Sequence, residues 1–262
     1  MVYKDEQMKN ITDLYLQGLS TRQIAEVAGI SKSTVGALVK ELGISRDRST
    51  SQIWGCKRTT QVPFEWSFFP LTAQKAWLLG LIYGDGSLSN DGRRITITSG
   101  DRDVIDNVNH LFGGTLGIIS SASTYWNIDI HSTRLWKELN STFALVPNKS
   151  RVLRYPELSE AMNPHFIRGL LDSDGCWGSD IRNRQPKLIF QYVSLSLDFV
   201  QSLRVALVKF VGVSPRRKVS QGRGYSLIYS NQDAVKIGYW LYADSTPQVR
   251  CERKFTYWSQ FT

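Results

Sequence analysis

Cysteine and histidine are scarce in this 262-residue sequence, with three of each. Cys56, Cys176 and Cys251 are scattered, odd in number and form no Cys-x-x-Cys pair. This argues against a disulfide framework or a cysteine-rich zinc site and points to a reducing compartment. His110, His131 and His165 do not cluster with them. Long apolar runs are missing too. The longest, near Ala76 to Tyr83, is far too short to span a bilayer. The opening Met-Val-Tyr-Lys-Asp-Glu is charged and lacks the apolar stretch of a signal peptide. The expectation is a soluble cytoplasmic protein. Acidic residues fall short as well, 23 against 32 basic, for a net charge of +9. Such an excess suits a polyanionic partner, most often nucleic acid, although a solvated basic surface would give the same count.

What is present is globular. Hydrophobic residues at 42% and charged residues at 21% permit a packed core and argue against wholesale disorder. The length suits about two domain-sized units.

Residues 8–44 read as three short helices. The first is expected from Met8 to Gln17, stopping at Gly18. Ser20 can cap a second, whose buried face carries Ile24, Ala25 and Ala28, and Gly29 suits a tight turn with positive φ. Ser31 can cap a third, with Val35 and Leu38 inside. Ala25, Gly29, Val35 and Leu38 have helix-turn-helix spacing, with a small residue where helices cross and glycine at the turn. The third helix then exposes Lys32, Ser33, Thr34, Gly36 and Ala37, short enough to approach base edges in a major groove. A three-helix bundle for protein contacts is the plainer alternative. Residues 45–70 read as a basic linker, including Lys57 and Arg58, which either tethers or follows a phosphate backbone.

The remainder contains a repeat. Trp77-Leu78-Leu79-Gly80-Leu81-Ile82-Tyr83-Gly84-Asp85-Gly86 resembles Phe166-Ile167-Arg168-Gly169-Leu170-Leu171-Asp172-Ser173-Asp174-Gly175, offset by 89 residues. Each reads as the last turns of a buried helix, the first capped by Thr72 and the second started by Asn163-Pro164. Gly80 and Gly84 match Gly169 and Ser173. Small residues four apart lie on one helix face and let two backbones approach. A carboxylate at a helix C-terminus is unfavourable by roughly 0.3–1 kcal/mol. Two such acids brought together would also repel, so a hard divalent cation is the natural compensation.

The two segments resemble the signature of the LAGLIDADG homing endonucleases, over residues 71–262. Tyr83 departs from it where the first acid is usual, and so does Arg168 where a small residue is usual, which suggests that Arg168 faces outward. The resemblance implies an α+β fold of two pseudo-symmetric αββαββα half-domains, 71–150 and 151–262, forming a DNA-binding saddle. A small all-α helix-turn-helix domain over 1–44 would precede them. It further implies a monomeric, site-specific endonuclease leaving staggered ends on a long, pseudo-palindromic or asymmetric duplex target. Asp85 and Asp174 would hold metal with the carbonyls of Gly84 and Ser173. The cofactor would be Mg²⁺, with Mn²⁺ able to substitute and Ca²⁺ binding without cleavage. Lys149 and Lys254 look like the late basic residue of each half, with Arg253 as an alternative to the second. Thr98, Ser99, Gln191 and Ser194 are weaker candidates for placing water.

Strand alternation supports this independently. Arg94 to Thr98 and Tyr125 to His131 alternate polar and apolar. Ile95, Ile97, Trp126, Ile128 and Ile130 should face the core. Arg94, Thr96, Thr98, Tyr125, Asn127 and Asp129 should face DNA, where Asp129 could accept from a cytosine amine. Lys187 to Val193, with Gln191, and Tyr225 to Tyr229 read as strands of the second half. The acid-free run with Arg204, Lys209, Arg216, Arg217, Lys218 and Arg223 reads as a backbone-following stripe or a solvated surface. Two other functions compete with cleavage: a non-cutting transcription regulator, and an intron maturase binding RNA.

Overall fold

The computed structural model describes residues 5–16, 19–45, 66–121, 124–180, 186–215, 219–221 and 223–262. The chain divides into two compact units, Met1–Thr59 and Thr60–Thr262.

The first unit holds α1 (Asp5–Leu16), α2 (Thr21–Ala28) and α3 (Lys32–Glu41). The first helix thus starts earlier than expected, and Gly18 lies outside the described residues. Ser20 caps α2 in a reciprocal box with Gln23, and Gly29 ends it at φ +65°. Ser31 caps α3 by accepting from Thr34 N. A small core of Ile11, Tyr15, Ile24, Val35, Leu38 and Val39 closes the unit. Lys32, Ser33 and Ala37 are exposed and Thr34 is half-buried. The hydroxyls of Ser33 and Thr34 each lie 2.7 Å from Ser31 Oγ.

In the second unit the expected αββαββα order occurs twice. The first copy is α4 (Ala73–Tyr83), β1 (Gly86–Leu88), β2 (Arg94–Ser99), α5 (Arg102–Leu111), β3 (Ile118–Ser121), β4 (Tyr125–His131) and α6 (Thr133–Phe143). The second is α7 (Asn163–Asp172), β5 (Gly175–Asp180), β6 (Lys187–Ser194), α8 (Leu197–Val211), β7 (Ser220–Gln221), β8 (Tyr225–Ser230) and α9 (Gln232–Tyr242). A last helix, α10 (Glu252–Ser259), follows. Each copy builds one antiparallel sheet, ordered β1-β2-β4-β3 and β5-β6-β8-β7.

The pairing of α4 and α7 requires glycine. A Cβ on Gly80 would sit 2.1 Å from Phe166 O, and one on Gly169 would sit 2.1 Å from Trp77 O. The two backbones therefore touch, as the matched small residues predicted. Thr72 caps α4 by accepting from Lys75 N. Asn163 does not act as a cap. Its Oδ1 accepts from Tyr155 Oη at 2.7 Å and its Nδ2 donates to Ser159 O at 2.8 Å, while Pro164 occupies the first turn. Ile95, Ile97, Ile128 and Ile130 are buried, and Trp126 packs against that core half-buried.

Two sequence expectations need correction. Arg168 is completely buried rather than outward-facing. Its guanidinium donates to Val249 O at 2.7 Å and Leu241 O at 2.6 Å, and Nη2 lies 2.9 Å from His165 Nδ1. Burial lowers its pKa to about 10, and the same cause with the Arg168 charge lowers that of His165 to about 4. Those partners keep the charge viable in the interior. The second correction concerns the end of the expected linker, where residues 66–68 are packed against the second unit's core. Phe68 is buried, its N donates to Glu138 Oε1 at 3.0 Å, and Trp66 Nε1 donates to Leu111 O at 3.0 Å. Lys57 and Arg58 lie outside the described residues.

Candidate active site

The two repeated helices deliver the two acids to one place. Each helix stops one residue after its last apolar turn, at Gly84 and Ser173, and the next residue is Asp85 or Asp174. A Cβ on Gly84 would lie 2.0 Å from Ser173 Oγ and 3.2 Å from Asp174 Oδ2, so the two helix ends abut. The Asp85 and Asp174 carboxyls are within hydrogen-bond reach of each other. Both residues remain exposed to solvent. Burial among the surrounding atoms pushes the Asp174 carboxyl up to about 6; the Asp85 charge adds to this, and Lys149 and Lys254 oppose it. Asp85 is likewise raised by burial, against the pull of Lys254 and Lys149.

The two lysines occupy corresponding positions. Lys149 and Lys254 are each only 6% exposed. Lys149 Nζ donates to Gly84 O at 3.2 Å and to Gly86 O. Lys254 Nζ donates to Ser173 O at 3.2 Å, Gly175 O at 2.8 Å, Leu171 O at 2.6 Å and Asp172 O at 2.9 Å. Each ammonium thus bonds main-chain carbonyls at or just beyond one helix end and places a positive charge at its negative pole. Burial lowers the Lys149 pKa, while Asp174 and Asp85 hold it up. Arg253, the alternative to Lys254, points elsewhere. Its side chain is paired with Asp101 at 2.7 and 2.8 Å and does not touch the motif end.

Some participants left no sequence signal. Asp172 Oδ2 accepts from Trp77 Nε1 at 2.8 Å and Cys251 N at 3.1 Å, tying α4, α7 and the start of α10 together. Burial pushes its pKa up to about 6, against Trp77, Lys254 and Arg168. Tyr192, opposite Gly175, buries a hydroxyl without a partner among the described residues, where the first half has Ile97 opposite Gly86. Asp101, Asp103 and Cys251 form a cluster of metal-ligand type. However, Arg253 holds Asp101, Glu252 N donates to Asp103 Oδ2 at 2.8 Å, and burial pushes the Cys251 thiol up to about 12. That cluster serves as a contact between the halves.

A cavity of about 320 Å³ opens beside Asp174, lined by Tyr83, Ser150, Ser194 and Arg223 among others. The weaker water-placing candidates lie at the strand ends: Ser99 is buried and its Oγ accepts from Asp101 N, and Ser194 Oγ accepts from Ser196 N.

The open sheet faces carry the remaining candidates. In the first sheet Thr96 Oγ1 donates to Asp129 Oδ1 and Thr98 Oγ1 donates to Asn127 Oδ1, both at 2.6 Å, and Arg94 lies 3.7 Å from Asp129. The Asp129 oxygens are therefore engaged within the sheet. Tyr125 is 53% exposed at the strand end. In the second, Lys187 and Arg223 are exposed, and Gln191 Nε2 donates to Ser226 Oγ at 3.3 Å. Arg204 and Lys209 sit instead on α8, with Arg204 bonded to Pro215 O. Arg216, Arg217 and Lys218 lie outside the described residues.

Comparison with known proteins gives three findings. No curated protein matches the chain. Among solved structures, the chain is similar to the I-SmaMI LAGLIDADG homing endonuclease bound to cleaved DNA, at 15% identity and TM-score 0.49, covering 72% of this chain and 88% of that one. It is also similar to the N-terminal LAGLIDADG domain of DUF199/WhiA, at 15% identity and TM-score 0.47, covering 68% and 86%. The sequence from 72 to 137, which holds the first of the two motifs, matches the family model of the LAGLIDADG-like domain. The match runs from α4 to the start of α6, and the chain repeats the αββαββα order once more after it.

Proposed function

We propose that this protein is a site-specific endonuclease that hydrolyses duplex DNA with divalent metal and leaves staggered ends. The observation that carries the reading is the meeting of Asp85 and Asp174, flanked by Lys149 and Lys254, where two copies of one unit join. The donor set fits a hard divalent cation such as Mg²⁺. It offers two neighbouring carboxylates, of which Asp85 raises the proton affinity of Asp174, and the carbonyls of Gly84 and Ser173, which each accept a lysine bond. A cation bound there would neutralise phosphate charge and acidify water.

The chain's own groups do the rest. The lysines hold the motif carbonyls in place and lend positive charge without leaving the interior. The polar face of the first sheet and the flanking cations Lys187 and Arg223 suit a duplex. The third helix of the first unit, with Lys32, Ser33, Thr34 and Ala37, would extend the footprint along a major groove. Two acids shared between halves suit one cut per strand from a single chain.

The test is a plasmid carrying the candidate insertion site, incubated with Mg²⁺ or with EDTA. Linear product is expected only with Mg²⁺. Asp85→Asn or Asp174→Asn should abolish linearisation and spare duplex binding in a gel shift. Either variant linearising at the wild-type rate would overturn the site. Tight binding by wild type without any cutting would favour the regulator.

A further inference from the structure

Strand pairing allows the two open sheet faces to be compared position by position. Gly86 pairs with Ile97 and Gly175 with Tyr192, which fixes the correspondence between halves. Thr96 then corresponds to Gln191, and their partners Asp129 and Ile228 correspond to each other. Likewise Arg94 corresponds to Ile189, Thr98 to Val193 and Asn127 to Ser226. The first half carries a charged pair, Arg94 and Asp129, where the second carries Ile189 and Ile228. Val193 and Ile228 are each 38% exposed on that face. On that face β6 and β8 present β-branched side chains to water, while the opposite face of β6 packs Leu188, Phe190 and Tyr192 into the core.

Base edges differ in the same way. Guanine offers two acceptors that an arginine can bridge, and cytosine offers an amine. Thymine offers a methyl group, and adenine pairs with glutamine through N6 and N7. Apolar side chains around Gln191, flanked by the cations Lys187 and Arg223, match methyl groups and adenines beneath a phosphate backbone.

We infer that the target is compositionally asymmetric: the arm read by the second sheet is rich in A·T pairs, and the arm read by the first carries G·C pairs at the corresponding positions. This inference rests on the duplex-DNA reading. It names the substrate class that the two faces would select.

The experiment is selection of bound duplexes from a random pool by the full-length protein in EDTA, so that cutting plays no part. One arm should be dominated by A·T and the other should contain conserved G·C pairs. Ile228→Arg, a change at a solvent-facing position, assigns the arms. It should bring guanine into the A·T-rich arm by about tenfold at one or two positions and leave the other arm unchanged. Arms of equal composition would overturn the inference, as would Ile228→Arg altering the G·C-containing arm. So would concentration-dependent dimerisation of the free protein abolished by Ile228→Arg, because the stripe would then be covered by a second copy. Failure to enrich any duplex would instead refute the DNA reading itself.

Discussion

Lys254 makes more contacts at the motif end than any metal-site argument requires, and this sets its expected behaviour. Replacing it with Met would remove the ammonium from four main-chain carbonyls. A buried acceptor left unsatisfied costs about 1–3 kcal/mol, so Lys254→Met should lower the urea midpoint clearly even without DNA. An unchanged midpoint would mean that the lysine is not structural. The acids should behave in the opposite sense. The folded-state pKa of Asp174 lies near 6, above its ordinary value. Its protonated form therefore favours the fold at low pH, and that contribution is lost as pH rises from about 4 through about 6. In EDTA, Asp174→Asn should melt above wild type at pH 7 and level with it at pH 4, as read by thermal melts across that range. A variant less stable than wild type at pH 7 would contradict the raised Asp174 carboxyl. That Asp85 and Asp174 end two matched helices was legible in the sequence because the repeat marks them, whereas Lys149 and Lys254 were named only through the family resemblance. Arg168 was not. Its partners Val249 and Leu241 lie more than seventy positions away, and an isolated arginine in a helix gives no sign of carbonyls that only the fold supplies.

Among the elements, the α4–α7 pair is the one that tolerates least. A methyl group on Gly80 would strike the Phe166 carbonyl, a backbone atom that cannot turn aside. Gly80→Ala should cost about 3 kcal/mol or more through overpacking and expel soluble protein from the folded pool. Gly36 in α3 is a matched control. Nothing lies within 4 Å of where its Cβ would be. Gly36→Ala should therefore stabilise the first unit by about 0.5–1 kcal/mol through lower chain entropy. Calorimetry of both variants decides whether contact or propensity dominates. These helices were readable because caps, glycine spacing and apolar runs coincide. The long inner strands β2, β4, β6 and β8 were readable by alternation. The outer strands β1, β3, β5 and β7 were not, since stretches such as Gly86–Leu88 and Ser220–Gln221 are too short to show a period and are strands only by virtue of their neighbours.

For the molecule as a whole, the separate cores carry the argument. Every buried residue of the larger cluster comes from 68–258, and every one of the smaller from 11–39. The larger cluster is drawn, among the described residues, from 68–258 alone, so a chain cut to 66–262 should fold and keep the acid pair. If the three-helix unit binds DNA as proposed, the fragment should lose its cationic backbone contacts, including Lys32, and any groove contact made by α3. Each phosphate contact removed lowers the slope of log K against log salt by about 0.9. The 66–262 fragment should therefore bind the same target more weakly at low salt, with a shallower salt dependence, and cut at the same phosphodiesters. End-labelled cleavage mapping and binding isotherms at several salt concentrations read both quantities. If the fragment binds as tightly and as steeply as the whole chain, the three-helix unit does not touch DNA and serves a protein partner. If it cuts at other positions, the unit sets the site rather than extending it. A unit that only adds footprint leaves the cut position to the two sheets, because the acids are fixed to their helices and the helices to each other through Gly80 and Gly169.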